Sequence, residues 1–140
     1  KMSAKDTAEG HIHRINDKIV FPSSAFENAI VAACRHQKID KKLNMARVDG
    51  AFSVTGDEGD YCVIESDPYT VTAMVVNTSG KNGAPSVSFR PAFANWKTRI
   101  FLDYNPASVT IEELLHLLDL AGFHVGIGSY RPKFGKFSVI

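Results

Sequence analysis

The sequence predicts an α+β fold, and three observations carry that prediction. Apolar residues recur at helical spacing from Ser24 to about Gln37 and again from Thr110 onward. Between those helices the chain is rich in β-branched and aromatic residues broken by turn signals. The length of 140 residues is that of one domain. Helix, several strands, helix and a hairpin-like end is the order expected when two helices pack on one face of an antiparallel sheet.

Each element has its own justification. Lys1 to Gly10 is polar and expected to be loose; residues 1–17 are taken as a flexible N-terminal segment and 18–140 as a single α+β domain. The run HIHRINDKIV is short and polar, so no convincing strand is expected before Ser24. Ser24-Ala-Phe-Glu27 has the form of a capping box, with the serine serving an orphan backbone N–H and the glutamate reaching back. Phe26, Ala29, Ile30 and Ala33 then form the apolar stripe of the first helix. Gln37 to Leu43 reads as a basic, solvated stretch.

Strands are expected over 45–54, 60–65, 69–77, 87–90 and 98–104, with a flexible loop over 78–83. In the last strand Arg99, Phe101 and Asp103 share one face, and Ile100, Leu102 and Tyr104 the core face. A second capping box, Thr110-Ile-Glu-Glu113, opens the second helix. Its stripe is Ile111, Leu114, Leu115 and Leu118, with Glu112, His116 and Asp119 turned away. Gly122 is placed to stop it.

Composition narrows function little. Sixteen Lys+Arg against fifteen Asp+Glu give a formal charge of +1, so any basic site must be a local patch. Two cysteines, Cys34 and Cys62, have neither CxxC nor metal spacing and read as reduced, packed thiols. No apolar run reaches the roughly 18 residues of a membrane helix, and the start lacks a secretory-type hydrophobic segment. A cytoplasmic protein without membrane contact, cofactor or bound metal is the expectation.

The chemistry concentrates near the C-terminus. Gly126, Gly128 and Gly135 provide backbone that tolerates positive φ and close approach, and Tyr130, Arg131, Lys133, Phe134, Lys136 and Phe137 stand among them. Aromatic faces beside cations suit nucleic acid, with rings stacking on bases and cations meeting phosphates. A dinucleotide fingerprint is excluded because Arg131 stands where its third glycine belongs, and a P-loop because no GK[ST] occurs. A second concentration holds Arg90, Phe93, Trp96, Lys97 and Arg99; there Arg90 equally suits a structural ion pair and Trp96 a half-buried position.

The segment Gly126-Ile-Gly128-Ser-Tyr-Arg-Pro-Lys-Phe-Gly135-Lys-Phe137, directly after an amphipathic helix ending Leu-Ala-Gly122, resembles the RAMP superfamily of CRISPR-associated RNA-binding proteins. Ile19-Val-Phe-Pro22-Ser-Ser24-Ala-Phe-Glu-Asn-Ala29-Ile is similar to the segment leading into that superfamily's first helix. RPAFANW, the AG-x-x-VGIG-x-x-RP segment and the closing FG-x-F also resemble uncharacterised phage and prophage proteins. The resemblance implies a ferredoxin-like β-α-β-β-α-β sheet with an elaborated, β-rich middle. It also implies a loop shaped by Gly126, Gly128 and Gly135, with RNA contacts from Tyr130, Arg131, Lys133 and Lys136. Assembly as a homo-oligomer along a strand is a further implication, as is action on a host or phage partner.

A non-enzymatic binder of RNA or single-stranded DNA is therefore the leading expectation. Its binding residues are Arg90, Trp96, Lys97, Arg99, Gly126, Gly128, Tyr130, Arg131, Lys133, Gly135 and Lys136. One alternative is a protein-interaction module, since aromatics and arginine also form interface hot spots. The other is a metal-independent endoribonuclease that uses His11 or His13 with Tyr130 or Lys133 to cleave through the 2′-OH. As zinc ligands His11 and His13 lack a third and fourth partner in sequence. His36, His116 and His124 carry no motif.

Overall fold

A computed structural model describes residues 3–36, 48–77, 85–128 and 135–140. The expected basic stretch at 37–43, the start of the strand at 45–54 and the loop at 78–83 lie outside the described residues. The protein is α+β, with helices and small antiparallel sheets. It divides into two compact units, Lys1–Val20 with Val63–Thr98 and Phe21–Cys62 with Arg99–Ile140.

The first unit opens with helix α1, Ala4–Glu9, where the Ser3 side chain accepts the Asp6 N–H at 3.1 Å and Ala8 is buried. Structure thus replaces the loose terminus expected there. Strands β1 (His13–Ile15) and β2 (Lys18–Pro22) follow as an antiparallel hairpin, with Ile15 opposite Lys18. Asn16 and Asp17 make the turn at φ 50° and 63°. Two successive positive φ values define a tight hairpin turn, and Asn and Asp adopt them at low cost. A strand does precede Ser24, hidden because its residues are polar and its turn contains no glycine.

Strand β4 (Tyr61–Val63) lies beside β2, and just past its end the Ile64 N–H donates to Ile19 O at 2.9 Å. The longest ladder is β5 (Thr70–Asn77) with β6 (Pro85–Ala92), paired from Thr70–Ala92 to Asn77–Pro85. Helix α1 packs on this ladder. After β6, Phe93 lies at a tilt beside Tyr69, their centroids 6.1 Å apart. Asn95 takes positive φ and donates to Asp67 Oδ2 at 2.8 Å.

In the second unit, helix α2 (Ser24–Ala32) continues as a 3₁₀ turn, Ala33–His36. Phe26, Ala29, Ile30 and Ala33 are buried, as their spacing predicts. The first capping box does not form. Ser23 is the N-cap without a side-chain bond, and Glu27 Oε1 accepts the backbone N–H of Val54 at 2.6 Å instead. An intramolecular strand outcompetes the local cap for that carboxylate.

Strand β3 (Phe52–Thr55), which contains Val54, pairs antiparallel with β7 (Phe101–Tyr104). Burial alternates along β7, with Phe101 and Asp103 exposed and Leu102 and Tyr104 half-buried, as expected. Helix α3, Ile111–Leu120, carries the second capping box in full: Thr110 N–H to Glu113 Oε1 at 2.9 Å and Glu113 N–H to Thr110 Oγ1 at 3.1 Å. Its buried residues are Leu114, Leu117 and Leu118. Ile111 and Leu115 face solvent at 36% and 42% exposure, so the apolar stripe is rotated toward Leu117. Helices α2 and α3 pack together, and Phe26, Ile30, Leu114 and Leu117 on them are buried. Burying a side chain of this size stabilises by roughly 1.5–3 kcal/mol.

Candidate nucleic-acid interface

The chain does not stop its second helix at Gly122. It widens into a π-type turn, Ala121–Val125, and ends at Gly126, where φ is 72°. Gly122 is required for another reason: a Cβ there would meet the Phe137 carbonyl oxygen at 2.0 Å. The Phe137 N–H donates to Gly122 O at 3.0 Å, and its ring meets Phe26 edge-on at 5.7 Å. The returning chain therefore lies directly against the turn.

A second clasp closes the loop. The Ile127 N–H donates to Gly135 O at 3.0 Å, and Gly135 sits at φ 81° where a Cβ would strike Ile127 O at 1.7 Å. Gly128, at φ 100°, begins the loop, and an added Cβ there meets nothing within 4 Å among the described residues. Gly126, Gly128 and Gly135 thus do shape the loop's ends. Tyr130, Arg131, Lys133 and Phe134, which belong to this loop in sequence, lie outside the described residues.

Beside the clasp stands a cluster with no motif in the sequence. Lys136 Nζ is 4.8 Å from the centroid of the Phe123 ring. Phe123 is 65% exposed. His124 meets it edge-on, 4.8 Å away at 78°. His124 in turn stacks face to face on His36 from the 3₁₀ turn, 4.6 Å apart and within 5° of parallel. Among the described residues no carboxylate pairs with Lys136. Only Lys136 of this group stands among the sequence-predicted binding residues; Phe123, His36 and His124 are added by tertiary approach.

The other sequence-predicted residues are distributed differently. Arg99, also in the second unit, lies 5.8 Å from the Phe101 centroid and pairs with Asp57 Oδ1 at 3.3 Å. Arg90, Trp96 and Lys97 belong to the first unit. Arg90 Nη1 donates to His11 Nδ1 at 3.1 Å, so the arginine and one of the two candidate catalytic histidines engage each other. Lys97 pairs with Glu65 Oε2 at 3.5 Å, and the two residues exchange backbone hydrogen bonds. Trp96 is half-buried, and His13 lies exposed on β1.

Glu9 gathers a further polar group in the first unit. Its Oε1 accepts from Arg14 Nε at 3.1 Å and Nη2 at 2.5 Å, and its Oε2 accepts from the Tyr69 hydroxyl. The Tyr69 hydrogen bond, reinforced by Arg14, holds the Glu9 carboxyl below its usual range. That same hydrogen bond, followed by burial, raises the Tyr69 phenol.

Both cysteines are free and buried in the second unit. Burial raises the Cys34 thiol and pushes Cys62 up to about 11, with the nearby Asp57 charge adding to the latter. Neither has the depressed pKa of a nucleophilic thiol. Among the described residues no group of three or more His, Cys, Asp or Glu could hold a metal ion, and no helix is long and apolar enough to cross a membrane. No protein-family model, curated protein or solved structure matches the chain.

Proposed function

We propose that the protein is a non-enzymatic binder of RNA or single-stranded DNA that uses the C-terminal loop of its second unit. One observation supports this above the others: the loop is clasped at Ile127 and Gly135 and carries, at its base, a lysine over an exposed aromatic ring, without a carboxylate partner among the described residues. A cation together with an exposed aromatic ring is the combination that single strands engage. Tyr130, Arg131 and Lys133 would supply further contacts from the loop itself.

A RAMP-like, phage-related origin and a ferredoxin-like arrangement belong to the same proposal. The order β2, α2, β3, then β7 and α3, with β3 and β7 antiparallel neighbours, is the part of that arrangement the chain carries, while β2 pairs with β1 and β4 in a separate sheet. The competing reading is a protein-interaction surface, favoured by the exposure of Phe123 and Phe101.

Fluorescence anisotropy with labelled single-stranded RNA and DNA over a salt series tests the proposal. Wild type is expected to weaken on a log–log line with a slope of about −0.7 per phosphate contact. The Arg131→Ala/Lys133→Ala double variant is expected to give a shallower slope. Absence of binding to both polymers at low salt would refute the proposal and favour the protein-facing surface.

A further inference from the structure

We infer that Phe123 is a base-stacking residue, its ring receiving one unpaired nucleobase while the Lys136 ammonium takes the adjoining phosphate. The inference rests on the nucleic-acid reading above and assigns the ligand's place on that surface. Phe123 follows α3 inside the π-type turn, and the buried residues of that turn are Ala121 and Gly122, not the phenylalanine. Phe123 follows Asp119 by one helical turn, on the face turned away from the core.

The fold leaves this apolar ring 65% exposed, forgoing the stabilisation that burial would bring. The neighbours choose the occupant. Lys136 stands over the ring, 4.8 Å from its centroid, His124 meets it edge-on and stacks on His36, and among the described residues no carboxylate pairs with Lys136. A ring with a cation over one face matches a polyanion that carries planar bases, the base stacking on the opposite face while the ammonium meets phosphate. Only an unpaired base offers its face to a single exposed ring, because duplex bases are already stacked on both sides. The occupant is thus a single strand and not a duplex.

The experiment uses the full chain with labelled single-stranded oligonucleotides and with an abasic strand of equal length. Phe123→Ala is expected to weaken binding of the base-carrying strand on the order of tenfold and leave the abasic strand unchanged. Phe123→Trp is expected to retain affinity, and its emission, read against the native Trp96 signal, to be quenched as the strand binds. The high exposure of position 123 keeps the fold intact in both variants. If Phe123→Ala binds the base-carrying strand as wild type does, with the same salt slope, stacking at Phe123 is overturned while the nucleic-acid reading stands. If wild type binds no strand at low salt, both fall together.

Discussion

Lys136 of the second unit is held differently from the paired cations of either unit. In the first, Arg14 is engaged by Glu9, Lys97 by Glu65, and Arg90 by His11. In the second, Arg99 is likewise engaged by Asp57, but Lys136 rests on an aromatic ring, and Phe26, Ile30, Leu114 and Leu117 are among the buried apolar side chains. Among the described side chains of the first unit the buried apolar ones are Ala8 and Val20. A partnered cation has spent most of its attraction for an incoming phosphate, whereas a cation over a ring has not. Local basic composition therefore misleads. What a lysine or arginine can bind depends on what already holds it.

Substitutions in each unit sharpen this contrast. Leu114→Ala, in the core of the second unit, is expected to cost about 2–5 kcal/mol in urea unfolding, whereas exposed Leu115→Ala stays within about 0.5 kcal/mol. Equal losses at both positions would mean that α3 packs by another face.

Gly135→Ala comes next. The new Cβ would collide with the Ile127 carbonyl at an unfavourable positive φ, so a loss of about 1–3 kcal/mol is expected. Faster hydrogen exchange of the Ile127 amide is the local sign that the clasp has opened.

The smallest effect belongs to the first unit, in Tyr69→Phe, and it is a function of pH. The Glu9 carboxyl is lowered from its ordinary 4.5, so its contribution is present above that value and is lost as pH falls through the lowered one. The Tyr69 phenol is raised from 10.0, so its contribution is present below that value and is lost as pH rises through the raised one. The stability difference between wild type and Tyr69→Phe should therefore be a plateau between the two, falling away at both ends. A difference that does not vary with pH would assign Tyr69 a packing role alone.

Much of this architecture was legible in the residues, and the exceptions share a cause. Thr110 and Glu113 satisfy each other within one turn, so their pattern was sufficient. Ser24 and Glu27 have the same pattern, but β3 takes the glutamate, and nothing local announces that. Gly122 could signal either a helix stop or a close approach, and only the returning Phe137 decides between them. Phe123, His124 and His36 were missed as site residues because their contacts join segments far apart in sequence. Helical spacing sets Phe123 opposite the buried stripe, on the face of His116 and Asp119, so an apolar aromatic on a polar face was the one signal the sequence offered. The N-terminal hairpin was hidden by polarity, its turn depending on Asn16 and Asp17.

The clasp between Ile127 and Gly135 also divides inheritance into two parts. Gly122, Gly135 and Phe137 answer to the fold, since an added Cβ at either glycine meets backbone and Phe137 seats on Phe26. A hydrogen bond between backbone groups reads no side chain, so the constraint at 127 and 135 is inherited through glycine and not through the identity of its neighbours.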